Sequence, residues 1–191
     1  EPTLGVRLLG GVGSTLFFTK ARRLPGGGSL DWELWTSDGS AAGTRKLIAF
    51  PGPVAMVAGG ATFSGRLHFL VTTLARTELW TSDGSPAGTF ALTDKAVGTV
   101  QHFAIVGARS WFAASTETGS TSLWTTDGTR GGARLVATFE DIAVGSLADC
   151  EGRVVFGAKE SGTGWELWSS EGTPESTSLV SDIVPGPGSG L

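Results

Sequence analysis

The eight residues ELWTSDGS at positions 33–40 recur unchanged at 78–85, and the related strings SLWTTDGT and ELWSSEGT stand at 122–129 and 166–173. When the four strings are aligned on their tryptophan, the copies are separated by 45, 44 and 44 residues. The chain therefore consists of four copies of one unit, and this spacing places the copies at approximately 1–52, 53–97, 98–143 and 144–191.

Each copy contains four short apolar stretches that are separated by turn residues. In the second copy these stretches are Val54–Ala58, Arg66–Val71, Glu78–Ser82 and Thr89–Thr93. A repeat of about 40 to 50 residues that holds four strands is typical of a propeller blade, which buries its faces against neighbouring blades. We therefore predict an all-β fold, a single β-propeller domain over residues 1–191 built from four four-stranded antiparallel blades. The ring closes within one chain, or the chain forms part of a larger ring by oligomerisation.

The repeated Leu-Trp pair predicts a blade that is buried on both faces. Leu34 and Trp35 are neighbours on a strand, so their side chains point to opposite faces of the sheet. We expect both to lie in the core between blades. The four tryptophans at the second position of this pair are Trp35, Trp80, Trp124 and Trp168.

The acidic residue and glycine that follow each tryptophan predict a tight turn between the third and fourth strands. The residues concerned are Asp38, Gly39, Asp83, Gly84, Asp127, Gly128, Glu171 and Gly172. Glycine supplies a positive φ in such turns, and the carboxylate accepts local backbone N–H bonds. A turn is needed once per blade, whereas a catalytic group is rarely needed four times, so we assign the motif a structural role.

The repeated motif also resembles a known family. The pattern E-L-W-x-S-D-G-S/T-x-x-G-T of the first two copies, together with D-I-x-P-G-P at 182–187, resembles the bacterial ELWxxDGT-repeat proteins. The resemblance extends over all four copies. It implies a propeller-like fold and a secreted or cell-surface location. The third copy has Gly131-Gly132-Ala133 near the expected Gly-Thr, and the fourth has Glu171 for Asp and Ser176-Thr177 for Gly-Thr.

Composition excludes several classes of function. The formal charge is −4 and the only adjacent basic pairs are Arg22-Arg23 and Arg45-Lys46, so the broad basic surface that nucleic-acid binding needs is missing. No apolar run is long enough for a transmembrane segment. The single cysteine, Cys150, cannot form an intrachain disulfide and leaves the cellular compartment open.

Motifs for catalysis and metal binding are also missing from the sequence. There is no H-E-x-x-H, Walker A or G-x-S-x-G string, and we expect His68 and His102 to be packed or surface residues. A glycoside hydrolase would need two close carboxylates, and no local motif selects such a pair. The oxygen-rich acidic turns make calcium possible, but one carboxylate per turn is too few for its six to eight oxygen ligands. We therefore predict no catalytic residues, no resident metal and no required cofactor.

The loops between the second and third strands differ most among the copies and are the expected ligand site. Trp32 and Trp165 occupy the same position in copies one and four, three residues before the repeated tryptophan. If exposed, they could stack on sugar rings, with hydrogen bonds from Arg22, Arg23, Asp31 and Glu160. The alternative is that both indoles pack on their own hairpins. Copies one and four are neighbours only if the ring closes on itself, in which case the two indoles would flank one seam.

The sequence thus predicts a non-enzymatic binding module of a secreted or cell-surface bacterial protein. Carbohydrate or glycoconjugate is the favoured ligand, in a lectin-like adhesive role. The first alternative is a propeller that serves as a structural or protein-interaction scaffold, with a surface protein or a second copy of the chain as partner. A glycoside hydrolase is the third class.

Overall fold

The computed structural model describes residues 3–23, 30–50, 54–143, 146–183 and 185–186. The chain divides into two compact units, Glu1–Leu92 and Thr93–Leu191, which are called the first half and the second half below. Each half contains two antiparallel sheets in which strands that are consecutive in the chain are neighbours, except that the short strands Asp141–Ile142 and Ala148–Cys150 both pair with the strand Arg153–Glu160. This meander follows from the short turns that separate the apolar stretches of each copy.

The first half holds sheets 1 and 2. Sheet 1 consists of β1 (Thr3–Val12), β2 (Thr15–Arg23), β3 (Leu30–Ser37) and β4 (Arg45–Ala49). Sheet 2 consists of β5 (Val54–Phe63), β6 (Arg66–Thr73), β7 (Thr77–Ser82) and β8 (Phe90–Ala91). The four apolar stretches of the second copy thus form four strands in the predicted order. The last strand is short, although Leu92 continues its pairing by donating its N–H to the carbonyl of Leu79 at 2.7 Å.

The second half holds sheets 3 and 4. Sheet 3 consists of β9 (Thr99–Val106), β10 (Arg109–Ser115), β11 (Thr121–Thr126) and β12 (Arg134–Phe139). Sheet 4 consists of β13 (Asp141–Ile142), β14 (Ala148–Cys150), β15 (Arg153–Glu160), β16 (Gly164–Ser170) and β17 (Ser178–Ser181). Both β13 and β14 pair with β15, so together they take the place of one edge strand. A single 3₁₀ turn, Pro174–Ser176, precedes β17.

The central strands of each sheet have more thoroughly buried side chains than the long edge strands. In β10, every residue from Ser110 to Ala114 is buried, which means that both faces of this strand are covered. Such strands show a continuous apolar run rather than strict alternation, as Trp111-Phe112-Ala113-Ala114 does. The sequence pattern of the copies is therefore that of sheets packed on both sides.

Each half has its own apolar core. The core of the first half includes Phe17, Leu34, Val57 and Phe69, all with no exposed surface. The core of the second half is built around Trp111, Leu123, Val154 and Phe156. Burial of large side chains of this kind contributes about 1.5 to 3 kcal/mol each, so these two clusters are the main source of stability in their halves.

In the first three copies the repeated leucine is more deeply buried than the repeated tryptophan. Leu34, Leu79 and Leu123 have no exposed surface, whereas all four repeated tryptophans are half-buried. Trp80 and Trp168 pack against the apolar cores of their halves. No helix among the described residues has the length and apolar character that a membrane crossing requires.

Candidate functional site

The acidic turns of the first three copies share one hydrogen-bonded structure. Oδ1 of Asp38 accepts from the backbone N–H of Ser40 at 2.9 Å and from its hydroxyl at 2.7 Å. Asp83 makes the same two bonds to Ser85, and Asp127 makes them to Thr129. The glycines that follow have φ values between 82° and 110°, a region that favours glycine; they are Gly39, Gly84, Gly128 and Gly172. Each acidic turn is thus held by its own side chains.

The second glycine of the motif is required for space. A Cβ atom at Gly43 would lie 2.0 Å from Oδ1 of Asp38, and one at Gly88 would lie 2.0 Å from Oδ2 of Asp83. The third copy keeps this arrangement, because a Cβ at Gly132 would lie 2.1 Å from Oδ1 of Asp127. Gly132 therefore takes the place of the motif glycine, and only the threonine of the expected Gly-Thr is missing from this copy.

The fourth copy closes its turn with two linked replacements. Glu171 replaces the aspartate of the motif, and Ser176 replaces its second glycine. The Oγ of Ser176 accepts from the backbone N–H groups of Glu171 at 3.2 Å and Thr173 at 3.1 Å. The longer carboxylate of Glu171 turns outward and forms an ion pair with Arg153 at 2.5 Å. The serine hydroxyl thus replaces the missing aspartate as the internal acceptor.

The carboxylates of the first three turns are held in their charged form. Hydrogen bonds from the Ser40 hydroxyl and then from its backbone N–H lower the pKa of Asp38 below its ordinary value. The hydroxyls of Ser85 and Thr129 lower the pKa of Asp83 and Asp127 in the same way. Among the described residues, no group of three or more His, Cys, Asp or Glu is placed to hold a metal ion.

The acidic turn of the first copy lines an open cavity that the sequence motifs did not predict. Its volume is about 210 Å³, and it is lined by Thr15, Thr36, Ser37, Asp38, Gly43 and Arg45. The lining groups are polar and include one carboxylate and one guanidinium. The available signal was the residue that opens the second strand, which is Thr15 in the first copy but arginine in the other three.

The structure places Trp32 on the core side of its hairpin. Its indole is half-buried and packs against the apolar cluster of the first half. The Nε1 atom is buried and has no hydrogen-bond partner among the described residues. Asp31 is half-buried and pairs in register with Arg22, while the side chains of Arg22 and Arg23 lie outside the described part of the structure. Trp32 therefore contributes to packing, and its predicted stacking role remains a prediction.

Trp165 lies on the hairpin between β15 and β16. It pairs in register with Lys159, and Glu160 pairs with Gly164 at the end of the same hairpin. Both Trp165 and Glu160 are half-buried, so a part of each side chain faces solvent. Lys159 forms an ion pair with Glu140 at 3.4 Å. This hairpin thus combines a partly exposed indole with charged groups of both signs.

Both histidines are packed residues in the structure. His68 has no exposed surface, and its ring lies edge-on to Phe63 with centroids 5.6 Å apart. Neither ring nitrogen of His68 or His102 has a hydrogen-bond partner among the described residues. Burial, and secondarily the charge of Arg66, lowers the pKa of His68 to about 4, and burial lowers the pKa of His102 as well. Both imidazoles are therefore neutral at pH 7.

Comparison with solved structures identifies the fold. The β-propeller domain of the trilobed protease from Pyrococcus furiosus matches 92% of this chain and 57% of its own length, at 9% identity and a TM-score of 0.56. The acylaminoacyl peptidase of Pyrococcus horikoshii matches 95% of this chain and 27% of its own length, at 15% identity and a TM-score of 0.60. No protein-family model matches the sequence, and no curated protein is similar to it.

These similarities, together with the antiparallel sheets, confirm the predicted fold class. The chain is an all-β protein of the β-propeller type, and its sheets correspond to four-stranded blades. At identities of 9% and 15% the likeness concerns the fold alone.

Proposed function

We propose that this chain is a non-enzymatic binding propeller of a secreted or cell-surface bacterial protein and that its ligand is a carbohydrate or glycoconjugate. The observation that carries the proposal is the partly exposed indole of Trp165 near the start of β16, beside a loop that differs among the copies. An indole presents a broad apolar face together with a polar N–H, a combination suited to stacking on a sugar ring.

The surroundings of Trp165 support this ligand class. Lys159 stands opposite Trp165 in register, and Glu160 follows it on the same strand. These two side chains can supply hydrogen bonds to hydroxyl groups beside the stacked ring. Trp32 gives weaker support, because its indole packs on the core of the first half.

The repeated acidic turns support the non-enzymatic part of the proposal. Their aspartates accept hydrogen bonds from residues two positions later in the same turn, as Asp38 does from Ser40. A carboxylate whose hydrogen bonds are made within its own turn has a structural role.

The experiment is a glycan-array screen of the purified chain, with and without calcium, beside the variants Trp165→Ala, Trp165→Phe and Trp32→Ala. All variants must first show the native circular-dichroism spectrum. We expect at least about a tenfold loss of binding in Trp165→Ala, since an aromatic stacking contact contributes on the order of 1 to 2 kcal/mol, and partial retention in Trp165→Phe. An absence of binding by the wild type, or full binding by Trp165→Ala, would contradict the proposal.

A second candidate function, that of a self-assembling scaffold, is favoured by an apolar face of sheet 1. Val6, Leu8 and Leu16 on this face are 63%, 70% and 45% exposed. On sheet 2 the corresponding face carries Trp80, which is covered by the ring of Phe50 at 5.5 Å. The open face of sheet 1 therefore offers an apolar surface to another copy of the chain.

In this second candidate function, the partner is another copy of the chain. We expect sedimentation equilibrium to show a species larger than one chain, and we expect Leu8→Lys to reduce it to one chain. Leu74→Lys, at a position that is 82% exposed on a loop, is the matched control. A wild-type chain that sediments as a single copy at high concentration would contradict this candidate.

A further inference from the structure

An arginine opens the second strand in three of the four copies. Arg66 comes one residue before Leu67, which pairs across the strands with Ser82. In the same way, Arg109 comes before Ser110, the partner of Thr126, and Arg153 comes before Val154, the partner of Ser170. In the first copy the corresponding pair is Leu16–Ser37, and the residue before it is Thr15. The four copies thus differ in one charged group at one structural position.

The second copy shows what this arginine does. The guanidinium of Arg66 donates from Nε to the hydroxyl of Thr81 at 3.1 Å and from Nη1 to Oδ2 of Asp83 at 3.2 Å. Its Nη2 donates to the carbonyl oxygen of Gly88, and its plane lies over the ring of Phe90, with Cζ 5.3 Å from the ring centroid. A hydroxyl, a carboxylate and a carbonyl together form a socket for the guanidinium.

The other arginines make related contacts. Arg153 pairs with Glu171 of its own turn at 2.5 Å. Arg109 lies beside the turn of the next sheet, where a Cβ at Gly172 would be 3.6 Å from its Nε. In the second and fourth copies, therefore, the acidic residue of the turn is paired with the arginine of its own copy.

The first copy has the same socket without the arginine. Thr36, Asp38 and Gly43 are the counterparts of Thr81, Asp83 and Gly88, and all three line the open cavity of about 210 Å³. Thr15 is too short to reach across it. Cavities for drug-sized ligands measure about 300 to 1,000 Å³, so this smaller one suits a single side-chain-sized group.

We propose that the cavity beside Asp38 binds a guanidinium group that a ligand supplies. The planar guanidinium matches the fork of hydroxyl, carboxylate and carbonyl acceptors, and its bond to the charged carboxylate is stronger than one between neutral groups. The site lies at the turn between the third and fourth strands, and it is independent of the proposed carbohydrate site at Trp165.

The charge of Arg45 narrows the class of guanidinium ligand that fits the cavity. Arg45 occupies the position of Phe90, because Thr36 pairs with Arg45 as Thr81 pairs with Phe90. A positive charge at this position repels a bare guanidinium and attracts an anion. A ligand that carries a carboxylate near its guanidinium, as a C-terminal arginine does, therefore fits the cavity better than an internal arginine does.

The test is an NMR titration of the full chain with N-acetyl-arginine, with the internal arginine of acetyl-Gly-Arg-Gly-amide, and with butylammonium. Shifts of the Ser40 and Gly43 amides report binding in the cavity. We expect saturable binding of the first two probes and at least about tenfold weaker binding of butylammonium, since loss of hydrogen bonds to a charged group costs on the order of 1.5 to 3 kcal/mol. The two arginine probes distinguish a terminal from an internal source.

Thr15→Arg is the decisive variant, because it places a guanidinium of the chain itself at the position that Arg66 holds in the second copy. We expect this variant to abolish binding while the fold remains native. Asp38→Asn should weaken binding at least about tenfold, and Asp83→Asn, in the occupied socket, should leave it unchanged. Equal binding by the wild type and Thr15→Arg, or no saturable binding by the wild type, would overturn the proposal.

Discussion

At the scale of single residues, the turns show why the aspartate and the second glycine of the motif occur together. The aspartate carboxylate fills the space where a Cβ of the second glycine would lie, as Asp83 and Gly88 show. The fourth copy resolves the same conflict by changing both residues, to Glu171 and Ser176. We therefore infer that the two positions are coupled.

This coupling can be tested in the second copy. Gly88→Ser should destabilise the chain by about 1 to 3 kcal/mol, because the introduced side chain meets the Asp83 carboxylate. The double variant D83E/G88S should recover most of this loss, since it reproduces the turn of the fourth copy, where an arginine also pairs with the glutamate. Urea unfolding measures both values. A double variant no more stable than the single one would refute the coupling.

His68 gives the molecule a specific acid sensitivity. Its pKa falls from 6.5 to about 4 in the folded chain because the imidazole is buried. Between these two pH values the unfolded chain binds a proton that the folded chain does not, so the free energy of unfolding decreases as the pH falls from 6.5 to about 4. The full effect of this shift corresponds to about 3 kcal/mol.

The matched variant is His68→Phe, which places at this position the residue that the first copy has, Phe17. Urea unfolding at a series of pH values should show a weaker dependence between pH 6.5 and 4 in the variant than in the wild type. Some dependence should remain, because burial also lowers the pKa of His102. Identical pH profiles would show that the pKa of His68 is the same in the folded and unfolded chains.

At the scale of strands and sheets, one phenylalanine joins the two sheets of each half. Phe50, just after β4, lies edge-on to Phe69 at 6.2 Å and to Trp80 at 5.5 Å. Phe139, at the end of β12, lies in the same way against Phe156 at 5.5 Å and Trp168 at 5.0 Å. The repeated tryptophans of the second and fourth copies, Trp80 and Trp168, thus form one side of an aromatic contact between sheets.

Removal of either phenylalanine should open the contact between its two sheets. We expect Phe50→Ala and Phe139→Ala each to lower the free energy of unfolding by about 3 to 5 kcal/mol, because a buried aromatic ring is lost and a cavity remains. Leu74→Ala, at an exposed position, should change it by less than about 0.5 kcal/mol. Losses as small as that of the control would mean that the sheets are held by other contacts.

At the scale of the whole molecule, the two halves have separate apolar cores. One core is confined to residues of the first half and the other to residues of the second half. In repeat proteins, stability is approximately the sum of the repeats and their nearest-neighbour interfaces. Each half contains two repeats and the interface between them.

We therefore expect residues 1–92 and 93–191, expressed separately, to form folded β-structure. The measurement is a ¹H–¹⁵N NMR spectrum of each fragment, with amide exchange to locate the protected strands. The strongest protection should lie in β6 and β10, which are central strands with several consecutive buried residues. Collapsed, undispersed spectra for both fragments would show that two repeats are too few for a stable core.

The fold was predictable to a large extent, whereas the functional site was not. The spacing of Trp35, Trp80, Trp124 and Trp168 was sufficient for the fold class, because a repeat that cannot bury its faces alone must pack against its neighbours. The loop residues had no comparable signal. Trp32 and Trp165 occupy the same position in their copies, yet only Trp32 packs against an apolar cluster of its half.

The sequence by itself determined the repeat, the four strands of each copy and the place of the acidic turns, because these depend on local spacing and on the backbone preferences of glycine and aspartate. Only the tertiary structure decided which side chains fill the space between those elements. Thr15 and Arg66 lie outside the recognised motif, and the cavity beside Asp38 lies where the first copy has Thr15 and the second copy has Arg66. Such a vacancy depends on distances between strands, and a linear sequence does not contain those distances.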